Sequence, residues 1–78
     1  MTSEELLQLD PSPAGRLKVL LMWGLVNGFC MGDSATALRW FTTPNPLLGQ
    51  VSPAQYIQLG RTDWLLTRIQ TRLQENLQ

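Results

Sequence analysis

The run from Leu17 to Met31, LKVLLMWGLVNGFCM, is the most apolar in the chain. Placed on a helix, Leu17, Leu20, Leu21, Leu25 and Phe29, joined by Met22 and Val26, cover nearly the whole circumference. A helix apolar on every side is central to its fold or sits in an interface. The C-terminal segment, DWLLTRIQTRLQENLQ, has a different pattern. There Leu65, Ile69, Leu73 and Leu77 recur every four residues beside Trp64 and Leu66, while Arg68 and Arg72 take the other side. That spacing predicts an amphipathic helix. No stretch sustains an alternation of period two, so no strand is predicted.

Capping residues divide the remainder. TSEELLQLD opens with a Thr or Ser cap and places Glu4 and Glu5 in the first turn, where the helix dipole favours acidic groups. A short helix is predicted, closed by DPSP. Ser12 and Pro13 supply a second cap and first-turn proline, which start the long apolar helix, and Gly28 and Gly32 fray its end. Asp33 or Ser34 caps a third helix with Ala37, Leu38, Trp40 and Phe41 on its apolar face. The sequence TTP ends it, because the residue before a proline is pushed out of the α region.

Residues 42–53, TTPNPLLGQVSP, hold three of the five prolines and two consecutive leucines. The stretch reads as two helix starts placed back to back. Asn45 caps a single turn that begins at Pro46, presents Leu47 and Leu48, and stops at Gly49. Ser52, Pro53 and Gln55 then form the capping box of a further short helix carrying Tyr56, Ile57 and Leu59 and ending at Gly60. The two leucines are expected to pin this connector onto its neighbours. Thr62 is the expected cap of the last helix. The expectation is one all-α domain over residues 1–78, a small bundle of four to five short helices.

Composition narrows the function. Seventy-eight residues bury only roughly 60–65% of the unfolded surface. Charged residues make up 15% of the chain against a typical value of about 25%, and 44% are hydrophobic, which argues against disorder and leaves room for a contact face. The formal net charge is zero, and only Arg61, Arg68 and Arg72 approach a basic row, so direct nucleic-acid binding is not expected. The apolar run is shorter than the about 20 residues of a membrane span and contains Lys18 and Asn27. No membrane contact and a cytoplasmic location are expected.

Candidate chemistry is sparse. There is no histidine, and the single cysteine, Cys30, lies in the apolar run and reads as a small buried hydrophobe. Glu4, Glu5, Asp10, Asp33, Asp63 and Glu75 show no acid–base or metal-ligand spacing, and GLVNGFCMG is not a dinucleotide loop. The expectation is a protein that is not an enzyme and carries no cofactor or metal.

The segment ALRWFTTPNPLLGQVSPAQYI, Ala37 to Ile57, resembles the toxin-binding domain of Xre/MbcA/ParS-type bacterial antitoxins. That family runs an amphipathic helix ending in Trp-Leu, a Pro-Asn-rich turn, Leu-Gly-Gly, and a Ser/Thr-Pro helix start. Trp40, Pro44, Asn45, Leu48, Gly49, Ser52 and Pro53 fall on the motif in order and at its spacing. Gly60 and the Arg68–Ile69 pair of the last helix are also similar. The close match covers about a quarter of the chain, and a weaker outline runs from about residue 17 to 70. Gln50 and Val51 stand where the family has its second glycine and a basic residue, and the family's glycine near the end of the last helix is missing. Family members usually carry a helix-turn-helix region ahead of the motif. The 36 residues before Ala37 hold no basic recognition helix, so a stand-alone module is expected.

What the resemblance implies is an antitoxin that binds and neutralises a RES or ADP-ribosyltransferase-type, NAD-using toxin by masking its active site. The motif itself is expected to be mainly structural. Arg61, Arg68 and Arg72, with Leu73 and Leu77 extending the apolar stripe, are the candidates for contact with that protein partner. The alternative is a self-associating helical scaffold or regulatory adaptor without a toxin partner, in which the helix at 17–31 forms a homodimer seam.

Overall fold

In the computed structural model, which describes residues 1–76, five α-helices and one 3-10 turn follow one another. They are α1 (Ser3–Leu7), α2 (Pro13–Phe29), α3 (Ser34–Thr42), the turn Pro46–Leu48, α4 (Pro53–Gln58) and α5 (Thr62–Asn76). Among the described residues there is no strand, only an isolated antiparallel bridge between Asn45 and Val51. Most helix starts carry the side chain that signals them. Thr2 and Glu5 form a reciprocal capping box, as do Ser52 and Gln55. The Ser12 hydroxyl accepts from the Gly15 N–H at 3.0 Å, and the Asp33 carboxylate accepts from the Thr36 N–H at 3.2 Å. Each such cap contributes about 1 kcal/mol by satisfying a donor that the helix leaves open.

Thr62 departs from its expected role. It stands inside the first turn of α5, buried, and its hydroxyl donates to Asp10 Oδ2 at 2.7 Å. Asp10 Oδ1 accepts from the backbone N–H and the hydroxyl of Ser12, at 3.0 and 2.8 Å. One carboxylate therefore joins the start of α2 to the start of α5, and Lys18 pairs with Asp63 alongside. Gly15 makes this possible, because a Cβ at that position would fall on the Asp10 carboxylate.

The core draws on every helix. Leu6 of α1, Val19, Met22 and Val26 of α2, Ala37 and Phe41 of α3, Ala54 and Ile57 of α4, and Leu65 and Ile69 of α5 are buried, with Leu48 from the turn. Phe41 sits at the centre, with Trp40 edge-on at 5.0 Å and Trp23 at 6.1 Å between ring centroids. Helix α2 lies against α1, α3 and α5.

The apolar helix is buried along one side only. Gly15, Val19, Met22 and Val26 face inward, whereas Leu17, Leu20, Leu21 and Phe29 are each more than half exposed. The partners of α2 all pack on one side, and so small a set of short helices cannot wrap a 17-residue helix. Its end is also sharper than two fraying glycines suggest. Met31 N–H donates to the Gly28 carbonyl at 3.1 Å and Gly32 N–H to the Asn27 carbonyl at 2.8 Å, the paired bonds of a Schellman motif. Asn27 then accepts from the Ser34 hydroxyl at 2.8 Å, fixing the step into α3.

Candidate partner-binding site

The connector between α3 and α4 is organised by Asn45. Its side-chain oxygen accepts from the Leu47 N–H at 2.9 Å. Its carbonyl accepts from the Leu48 and Gln50 N–H groups at 2.9 and 3.0 Å, and its own N–H donates to the Val51 carbonyl at 3.2 Å. These bonds close residues 45–51 into a small loop. To turn back on itself the chain takes left-handed conformations at Gly49 (φ 71°) and Gln50 (φ 67°). Glycine accepts this freely, whereas another residue incurs about 1–2 kcal/mol. Gln50 thus keeps the backbone that a glycine at its position would favour.

The two leucines of the turn divide between core and surface. Leu48 is buried and pins the loop, and its carbonyl accepts from the Tyr56 hydroxyl at 3.0 Å. Leu47 does not pin it and is 58% exposed. The Tyr56 ring stacks on Trp64 at 5.0 Å and 26°, and the Arg68 guanidinium lies over Trp64 at 5.4 Å from the ring centroid. A cation over an indole contributes about 0.5–1 kcal/mol at an exposed site. The path from turn to Tyr56, Trp64 and Arg68 thereby sets where this guanidinium stands.

A shallow groove of about 150 Å³ lies between the turn and α5, with Trp40, Asn45, Leu47, Leu65, Arg68 and Arg72 among its lining. Arg72 has Glu75 at 3.9 Å, an exposed pair that restrains it little. The structure thus brings two of the expected contact residues, Arg68 and Arg72, to the same groove as Trp40, Asn45 and Leu48 of the motif. The other residues are placed elsewhere. Arg61 is exposed at the junction of α4 and α5. Leu73 is half-buried against the core, and Leu77 lies outside the described residues. Pro44 and Ser52 border a wider, open hollow of about 420 Å³ together with Met1 and Gln55. Gly49 and Pro53 hold the loop and the start of α4, with Pro53 fully buried.

Sequence reading did not place the Tyr56–Trp64–Arg68 stack. Its Trp64–Arg68 half has a local signal, the four-residue spacing that puts two side chains on one helix side. Chemically the groove offers an apolar floor and guanidinium donors, which suits recognition of a surface. Among the described residues no group of three His, Cys, Asp or Glu side chains converges as a metal site would require. Cys30 is half-buried rather than fully enclosed. The two perturbed carboxylates lie away from the groove. The Thr62 hydroxyl, then the Ser12 backbone and hydroxyl, hold Asp10 below the usual aspartate range, and Thr36 does the same for Asp33.

No family model, curated protein or solved structure matches the chain. Among the described residues no helix is long and apolar enough to cross a membrane.

Proposed function

We propose that the chain is a small non-catalytic inhibitor of the antitoxin type, which binds a RES or ADP-ribosyltransferase-like, NAD-using toxin in the cytoplasm and covers its active-site cleft. The observation that carries this reading is the groove in which Arg68 and Arg72 stand beside Trp40, Asn45 and Leu48. The resemblance over Ala37–Ile57 supplies the class of partner. The loop closed by Asn45 is rigid enough to present Leu47 and the rim of Trp40 without a large ordering cost on binding. Burial of that apolar surface contributes about 25 cal/mol per Å² before association costs. Arg68 and Arg72 add donors for carboxylates or carbonyls on the partner's rim.

Co-expression with the product of the adjacent gene tests this. The neighbour is expected to arrest growth alone, to be neutralised by this chain, and to escape when Arg68 and Arg72 are both replaced by Glu. A neighbour that is neither toxic alone nor bound by the chain overturns the proposal.

A further inference from the structure

The outer face of α2 is not covered by any other part of the described chain. Leu17, Leu20, Leu21 and Phe29 are 64%, 51%, 57% and 60% exposed on it, and Met31, just past the helix end, is 94% exposed. At 3.6 residues per turn, Leu17, Leu21, Gly24 and Gly28 fall within about 60° of one another, with Leu20 on one flank and Leu25 and Phe29 on the other. The centre of this face holds no charge. Lys18 is turned to Asp63 of α5, and Arg16 stands beyond Leu20. Two further choices of residue find no contact within one chain. A Cβ at Gly24 or Gly28 would meet nothing within 4 Å, although glycine inside a helix is unfavourable. Met31 holds φ at 59° and points its side chain into solvent, at the same Schellman position where α4 carries Gly60.

We propose that this face binds the same face of a second copy of the chain, the two α2 helices crossing antiparallel about a two-fold axis near Gly24. Size points to a partner. Leu17, Leu20, Leu21, Phe29 and Met31 are each more than half exposed and Leu25 adds to them, a contiguous cluster rather than the single scattered apolar residues normal on a monomer's surface. Charge points to a second copy. The charges stand at the edges, Lys18 among the Leu25–Phe29 flank and paired with Asp63, and Arg16 beyond Leu20, so the centre offers nothing to an acidic or basic partner and does not repel itself. Shape agrees, because Gly24 lies midway between Leu17 and Met31. An axis there places Leu20 over Gly28 of the other copy and Leu17 beside its Met31, so that ridges meet gaps as a two-fold contact requires. The face lies on α2 and the groove on the turn and α5, so the dimer stands or falls independently of the inhibitor role.

Sedimentation equilibrium of the full chain tests the proposal. At tens of micromolar the mass is expected to be twice the 8.8 kDa of one chain, with Gly28→Ala raising the dissociation constant at least tenfold. Leu21→Glu is expected to give a monomer with an unchanged far-UV circular dichroism spectrum. Should Leu21→Glu lose helix content, Gly28→Ala decides the matter, since alanine favours the helix and can weaken association only by filling the gap. A mass of one chain up to about 1 mM overturns the proposal. A dimer indifferent to Gly28→Ala and to a folded Leu21→Glu overturns it equally.

Discussion

Helices α2 and α5 are of similar length and pack on each other, yet only one has the outer side that water favours. Helix α5 buries Thr62, Leu65 and Ile69 and turns Asp63, Thr67, Gln70, Thr71 and Gln74 outward. The Thr67 and Thr71 hydroxyls donate to carbonyls four residues back, at 3.1 and 2.9 Å, so even these exposed groups are satisfied within the helix. Helix α2 buries an equally narrow side and turns leucines outward. An apolar circumference in a small protein therefore does not mean that the helix is enclosed. The neighbours decide how much is covered, and the remainder is left as apolar surface.

The comparison breaks most sharply at the core positions. Met22→Ala on α2 and Leu65→Ala on α5 are each expected to cost about 2–5 kcal/mol in urea unfolding. Leu21→Ala and Thr67→Ala, on the outer sides, should stay within about 0.5 kcal/mol when the chain is dilute. A dilute-solution cost for Leu21→Ala equal to that for Met22→Ala would remove the difference between the two sides of α2.

A second contrast concerns helix ends. Gly60 and Met31 occupy the same left-handed position in the caps of α4 and α2, at φ 79° and 59°. Gly60→Ala is expected to destabilise by about 1 kcal/mol, and Met31→Gly to stabilise by about 0.5–1 kcal/mol. Gln50→Gly, at φ 67°, should gain a similar amount. Thermal melts register these as opposite shifts, about 4–8 °C per kcal/mol for a chain of this size. A loss of stability on Met31→Gly in dilute solution, where the chain is a monomer, would indicate that the methionine side chain is held within one chain.

The smallest effect is a pH dependence. Hydrogen bonds from Thr62 and Ser12 lower the folded pKa of Asp10, and those from Thr36 lower that of Asp33. The unfolded chain binds protons first as pH falls, near about 3.9, so both contributions are complete above that value and are lost as pH drops through the folded values. Asp10→Asn and Asp33→Asn should flatten the fall of stability in this window. An unchanged slope would show that the carboxylates have no part in it.

Much of the fold is legible in the sequence because its punctuation is local. Thr2, Ser12, Asp33, Asn45 and Ser52 each bond within three residues, so cap and helix start are read together. Thr62 misleads for the opposite reason, since its partner lies 52 positions away and nothing beside it signals Asp10. The sidedness of α2 is hidden in the same way, because it depends on where α1, α3 and α5 pack. Of the groove, the alignment of Arg68 with Arg72 follows from helical spacing. Its closeness to Asn45 arises only when α5 lies beside the turn.

The bond from Thr62 to Asp10 also bears on the order in which the molecule comes apart. One carboxylate holds Ser12 at the start of α2 and Thr62 in α5, so a single protonation weakens both attachments at once. Amide hydrogen exchange should then report the first turns of these distant helices as one cooperative opening unit, losing protection in step on acidification while the Phe41 core remains closed.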